Sequence, residues 1–371
     1  MAARKGLFGL ASARAGEAAI NWYPGHMASA TKAIRERIKL VDLVLEVRDA
    51  RIPLSSANAE LQDALEHKKR LIVLNKMDLA NPNMMLKWVK HFEACKQHHV
   101  FVNAHQQKAV KKMLDMAREL LSERLAKEPT LLLMILGIPN VGKSALVNSL
   151  FHLSHSSTSG KVFPKQEPLK KAKVGPLPGV TQDLSGFKIG VQPSVYVLDT
   201  PGILVPNINN VETGLKLALT GAVKDSVVGE ERVARYLLTV LNARSAHLRW
   251  KSEVHFSGIS DSQPLIKKSL VDSESLRESN VREVLSQACT NFVGNLEDQQ
   301  DMASLVDEQM MLLRKCFKVP SELGDAGWIR VSKQLIQLYR TGKLGRYTLD
   351  LVPSDGHQKK LNICIVGSAP S

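Results

Sequence analysis

Apolar positions along the chain follow two rhythms. Short runs rich in branched residues, Leu43-Val-Leu-Glu-Val-Arg-Asp49, Arg70-Leu-Ile-Val-Leu-Asn75 and Leu131-Leu-Leu-Met-Ile-Leu136, read as strands. The second is continuous, the pattern of a strand buried on both faces of a parallel sheet. A short strand is expected over 99–102, and a hairpin from 186–191 and 195–198. Between these runs the period lengthens to that of amphipathic helices over 28–39, with Ile34 and Ile38 on one face, and over 61–67, 84–97 and 110–127. Another helix opens at Ala145. Alternating strands and helices predict a layered α/β domain with helices on both faces, placed over 20–206. The pattern then turns helical over 211–220, 230–241, 275–292, 298–314 and 326–340, which predicts a second domain over 207–352 and a tail over 353–371. The stretch 252–309 is rich in Ser, Glu, Gln and Asp and is expected to be an insertion.

Composition adds a partner class. Fifty Lys+Arg against 36 Asp+Glu give a formal charge of +14, and a chain this basic is expected to meet a polyanion. Lys161, Lys165, Lys170, Lys171 and Lys173 crowd the polar stretch 152–178, expected to be a long mobile loop. Arg330, Lys333 and Arg340 lie along the last helix. Cys95, Cys289, Cys316 and Cys364 are far apart and form no C-x-x-C, so they read as reduced thiols. No apolar run approaches about 18 residues, so no segment reads as a membrane span. Residues 1–19 carry Arg4, Lys5 and Arg14 with only Glu17 acidic, the makeup of an organelle-targeting segment.

The sharpest chemistry lies where the run ending at Leu136 meets the helix opening at Ala145. Gly137-Ile-Pro-Asn140-Val141-Gly142-Lys143-Ser144 fits G-x-x-x-x-G-K-[ST] between strand and helix. Such glycines let backbone N–H groups wrap a phosphate chain, with the helix N-terminus adding positive potential. Lys143 is expected to reach the β- and γ-phosphates and Ser144 to ligate Mg²⁺. Asn75-Lys76-Met77-Asp78 closes a buried strand, where a carboxylate can accept both N1–H and the 2-amino N–H of guanine. A site left unpaired by the wrong base discriminates by roughly 10⁴–10⁵. Asn75 and Lys76 would brace that base pocket, and Asn103-Ala104 stands where a backbone N–H would meet the guanine O6. Asp199-Thr-Pro-Gly202 fits D-x-x-G, with Asp199 on Mg²⁺ through water and the Gly202 N–H on the γ-phosphate. Thr181 would close over Mg²⁺ and the γ-phosphate from the lysine-rich loop. The cofactors implied are GTP/GDP and Mg²⁺.

The order of these elements is unusual. Asn75 and Asp78 precede the phosphate loop, whereas most GTPases read guanine near the end. With Trp22-Tyr-Pro-Gly-His-Met27 and Val47-Arg-Asp-Ala-Arg-Ile-Pro53, the chain resembles the circularly permuted GTPases of the YlqF type, which act in assembly of the large ribosomal subunit. That resemblance covers about 20–245 well and 326–351 loosely, and with the basic N-terminus it points to a mitochondrial member. It implies a P-loop GTPase domain with a mainly parallel sheet in permuted strand order, followed by an α-helical C-terminal domain. It departs from the usual Ser-Ala of the base loop at Asn103-Ala104.

In place of the glutamine that often follows D-x-x-G stand Ile203-Leu-Val205. The resemblance offers His26 as the catalytic side chain instead. Asn140 matches the position that helps hold K⁺ in potassium-activated GTPases, a cation that would offset charge developing between the β- and γ-phosphates. The expected partners are the large ribosomal subunit and its rRNA, bound by a monomer in the GTP state and released on hydrolysis. Intrinsic turnover is expected to be low and stimulated by the subunit. The expected location is the mitochondrial matrix, with a peripheral place on the inner membrane left open. Two other readings remain: a regulatory GTPase whose helical domain binds a protein, and an RNA-binding scaffold that holds GTP without turnover. Leu361-Asn-Ile-Cys-Ile-Val-Gly367 looks like the start of a second phosphate loop but lacks a following Gly-Lys, so it is given no nucleotide role.

Overall fold

A computed structural model of the chain describes residues 20–21, 25–58, 61–128, 130–156, 185–191, 194–203, 207–208, 210–243 and 273–353. These fall into two units. One holds Asn21–Asn209, Thr220–Lys224 and the described residues from Arg346 on; the other holds Asn210–Leu219 and Asp225–Gly345. The expected boundary at 206/207 assigned 220–224 and 346–352 to the helical part, whereas the structure groups both with the sheet.

The sheet has six strands: β1 (Leu43–Asp49), β2 (Arg70–Asn75), β3 (His99–Phe101), β4 (Thr130–Leu136), β5 (Ser185–Val191) and β6 (Ser194–Asp199). Their spatial order is β3-β2-β1-β4-β6-β5. All neighbours are parallel except the β5–β6 hairpin. β2, which ends at Asn75, therefore lies two strands from β4, which leads into the Gly137–Ser144 loop, although it comes earlier in the chain, which is the permuted order. Around the sheet lie α1 (Gly25–Ile38), α2 (Pro82–Ala94), α3 (Gln107–Leu120) and α4 (Lys143–Ser156).

β1 is buried at all seven positions because it is central and covered on both faces. On one face Val44, Met134 and Leu136 pack with Ile34 and Ile38 of α1, and on that same face Ile72 and Leu74 pack with Trp88 and Phe92 of α2. The start of α2 is fixed by Asn81, whose side chain accepts from the backbone N–H groups of Asn83 and Met84, and by proline at the first helical position. α4 runs through Ser156, so the first residues of the expected 152–178 loop are helical. The rest of that loop, with all five of its lysines, lies outside the described residues, as do the 1–19 segment and the phosphate-loop-like tail.

The second unit contains α5 (Val211–Leu219), α6 (Glu230–Asn242), α7 (Ser273–Asn291), α8 (Gln299–Cys316) and α9 (Gly324–Arg340). α6 is its axis: Val233, Ala234 and every residue from Tyr236 to Asn242 are buried, and α5, α8 and α9 pack on it. α7 and α8 occupy part of the stretch expected to be a polar insertion. Val281, Leu285, Met302, Leu305 and Val306 are core residues there, spaced so that each helix buries one stripe beneath a polar surface. Among the described residues, no helix is long and apolar enough to cross a membrane.

Candidate nucleotide site

The phosphate loop closes against its neighbours so tightly that its glycines are steric necessities. A Cβ on Gly137 would stand 2.2 Å from the Val47 carbonyl oxygen, and one on Gly142, at φ +96°, 2.3 Å from Asn75 Nδ2. Gly202 has the same constraint from the other side, with an added Cβ 2.6 Å from the Pro139 Cα. The Ile203 N–H donates to the Gly137 carbonyl at 3.3 Å, so the D-x-x-G turn is bonded to the loop it would have to sense.

Two ionisable groups meet beneath that loop. Lys143 is 6% exposed and donates to the carbonyls of Gly137 (3.1 Å) and Ile138 (2.9 Å). Burial pushes its ammonium down to about 8, against an opposing pull from Asp199. Asp199, at the end of β6, is pushed up by burial, partly offset by Lys143, by the Ser144 hydroxyl and by the Thr200 backbone. Ser144 Oγ donates to Asp199 Oδ2 at 3.0 Å, while Asp199 Oδ1 is buried with no partner among the described residues. A hydroxyl and a carboxylate with an unsatisfied oxygen, beside a cradle that side chains would fill, suit a hydrated divalent cation carried on a polyphosphate. Val141 is buried in this loop, and Ala145 stands in the first turn of α4.

Asn75 ties its segment to the phosphate loop and to the 103–104 turn. Its Nδ2 donates to the Val141 carbonyl at 2.8 Å and its Oδ1 accepts the Ala104 N–H at 3.0 Å. Of the turn expected to offer a backbone N–H to a guanine O6, the Ala104 N–H is thus paired with Asn75, and Asn103 Oδ1 accepts from the His105 N–H at 2.9 Å. Lys76, at φ 60°, donates to the Asn140 carbonyl at 2.6 Å. Met77 N–H bonds the Val102 carbonyl at 3.2 Å, and Asp78 follows it, exposed, on a tight turn. Asn140 has φ 58° and donates from Nδ2 to the Gly221 carbonyl at 2.7 Å. His26 lies in the first turn of α1, its side chain outside what the structure describes; Thr181 lies wholly outside it.

In the sequence, Val47-Arg-Asp-Ala-Arg-Ile-Pro53 is a family mark without an assigned role. The structure makes it a buried ionic network. Glu46 accepts from Arg48 Nε at 2.8 Å and from Arg70 at 3.2 Å, and Asp49 pairs with Arg51 at 2.7 Å. Burial would raise the Asp49 carboxyl, but Arg51 and Lys76 outweigh it and hold that group well below the usual carboxylate range. The signal was present as three charges in an otherwise apolar strand, a pattern that buried parallel strands tolerate only when each charge is paired.

The family described as 50S ribosome-binding GTPase matches residues 132–253. "Short integuments 2, mitochondrial" of Arabidopsis thaliana is 48% identical over 94% of this chain and 94% of its own length. "DAR GTPase 2, mitochondrial" of the same plant is 42% identical over 89% of this chain and 90% of its own. The chain belongs to the circularly permuted GTPases of the YlqF type. "Mitochondrial ribosome-associated GTPase 1" of Mus musculus is 44% identical over 60% of this chain and 66% of its own length. As a member of this family the chain is a GTPase, and its nucleotide is a guanine nucleotide.

Proposed function

We propose that this GTPase is an assembly factor for the large subunit of the mitochondrial ribosome, binding the subunit or its rRNA with GTP and leaving after hydrolysis. The observation that carries the reading is the junction of Gly137, Gly142 and Gly202 over Lys143, Ser144 and Asp199, which binds the γ-phosphate-sensing turn to the phosphate loop. The 50S ribosome-binding description, the ribosome-associated mouse relative and the charge of +14 support the partner. The mitochondrial names of the two plant relatives and the basic 1–19 segment support the location, in the matrix.

In this reading Lys143 holds the β- and γ-phosphates, Ser144, Thr181 and Asp199 hold Mg²⁺ directly or through water, and the Gly202 N–H senses the γ-phosphate. Asp78 reads guanine, while Asn75, Lys76 and the 103–104 turn shape its pocket. His26 positions the attacking water, Asn140 helps hold K⁺, and the chain acts as a monomer. Turnover is low until the subunit is bound.

The test is co-sedimentation of the full chain with large mitochondrial subunits. Retention with a non-hydrolysable GTP analogue and release with GDP are expected. Equal behaviour in both states, or no sedimentation in either, overturns the reading and favours a protein partner.

A further inference from the structure

One buried ion pair of the sheet unit meets the base-reading segment. Asp49 ends β1 at the register position of Asn75 on β2, and its side chain is 2% exposed. Its Oδ1 accepts from the backbone N–H and the Nε of Arg51, both at 3.0 Å. Its Oδ2 accepts from Arg51 Nη2 at 2.7 Å and lies 3.3 Å from Lys76 Nζ. The same Lys76 nitrogen donates to the Asn140 carbonyl of the phosphate loop at 2.6 Å. A left-handed backbone at φ 60° is unfavourable for lysine, and such strain persists where the surroundings hold the residue in place.

Arg51 by itself satisfies the carboxylate as a bidentate partner, so the pair needs no second cation for its own stability. The second cation is the lysine of Asn75-Lys76-Met77-Asp78, which takes Asp49 as an acidic partner at 3.3 Å. Lys76 thus bridges β1 to the phosphate loop across the segment that follows β2. Its stem, one-quarter exposed, is left at the site's surface while its charged end is fixed.

We infer that Asp49 is a positioning residue for the guanine-nucleotide site: its carboxylate holds the Lys76 ammonium against the Asn140 carbonyl, fixing the lysine stem where the base packs. This rests on the reading of Asn75–Asp78 as the base site. Arg51 supplies the permanent counter-charge, so that Asp49 serves Lys76 as an anion without being left unpaired when the lysine moves.

The test is a double-mutant cycle on the full chain, read as GDP affinity in Mg²⁺ buffer by calorimetry. Lys76→Ala is expected to weaken GDP about tenfold, the scale of one side chain's packing surface lost from a bound ligand. Asp49→Asn is expected to weaken it severalfold, and the double variant to bind no more weakly than Lys76→Ala alone. Multiplying losses, or unchanged affinity in Asp49→Asn, overturns the inference, because a merely structural aspartate would act independently of Lys76. Asp49→Asn strands the Arg51 guanidinium and can unfold the chain. The cycle is therefore repeated with Asp49→Asn, Arg51→Met, which removes both buried charges. In that background Lys76→Ala should cost less than about threefold, and a full tenfold loss there refutes the inference. Asp78→Asn separates this outcome from failure of the base-site reading. A switch toward xanthosine diphosphate keeps that reading whatever the cycle shows; no switch, with GDP affinity intact, removes both.

Discussion

Lys143 is the residue whose chemistry the fold changes most, because its ammonium is buried among backbone carbonyls and titrates near 8. A polyphosphate beside it favours the charged form, so nucleotide binding above about pH 8 should be coupled to proton uptake. The uptake is expected to approach one proton near pH 9 and to vanish near pH 6.5, measured by calorimetry in buffers of different ionisation enthalpy. A constant value across that range removes the assignment of Lys143 to the phosphates. The sign for stability follows from the same shift: the unfolded chain holds this proton up to about 10.5, so the free protein gains stability from this group as pH rises from about 8. His26 carries the other prediction at this scale. With large subunits present, His26→Ala should slow GTP turnover by about 10²-fold at nearly unchanged GTP affinity. An equal loss of affinity marks the histidine as structural. The glycine and lysine spacing from Gly137 to Ser144 could be read directly, since a tight phosphate loop allows few alternatives. The Lys76–Asp49 pair could not, because spacing says nothing about which strand lies beside which.

Elements were legible to the extent that their period was local. β1 and β2 stand where the apolar runs placed them, while α2 and α3 begin two or three residues before the expected positions. The earlier starts have a local cause at α2, where the Asn81 cap draws Pro82 and Asn83 into the first turn. Within the polar stretch 252–309, α7 and α8 stand within two residues of the expected 275–292 and 298–314, since a helix packed on one side shows few apolar residues and still carries core at Leu285 or Met302. The segment after α9 gave no signal, because its structure is defined by distant partners. Asp350, 2% exposed, accepts the N–H groups of Leu54 (2.8 Å) and Ser55 (2.7 Å) and the Ser55 hydroxyl (2.7 Å). Leu349 N–H bonds the Arg51 carbonyl at 2.7 Å, and Thr348 Oγ1 accepts the Asn81 N–H at 3.1 Å. Asp350→Asn should weaken this anchorage by about 2 kcal/mol, the worth of charged hydrogen bonds to a buried carboxylate. That is roughly 30-fold faster amide exchange at Leu54 and Ser55. Unaltered exchange at both amides means that the anchor is idle.

Across the whole molecule, the basic residues expected to face a polyanion divide by what they touch. Arg340 is a structural group of the helical unit: it donates to the Ala218 carbonyl at 2.6 Å and the Leu219 carbonyl at 3.1 Å, and to both oxygens of Asp225. Lys333 lies 3.5 Å from Glu230, and Arg330 is exposed. Arg340→Gln is therefore expected to cost about 1–2 kcal/mol of stability and leave the salt slope of RNA binding unchanged. Arg330→Gln should lower that slope by about one unit with no loss of stability. The reverse pattern, in melting and in binding on large-subunit RNA, would return Arg340 to the surface set. The anchorage of Leu54 and Ser55 also bears on how the protein is made. Their partner lies 296 and 295 positions further along, so these amides stay unpaired until almost the entire chain has left the translating ribosome. Domains usually complete themselves in N-to-C order as they emerge. Here Arg51, just past the end of β1, and the Asn81 cap, which flank the Asn75–Asp78 segment in the sequence, receive these bonds after the helical unit has been synthesised. A chain terminated before Thr348 thus lacks the bonds that fasten Arg51, Leu54, Ser55 and Asn81, and its sheet unit is left with those groups for water to satisfy.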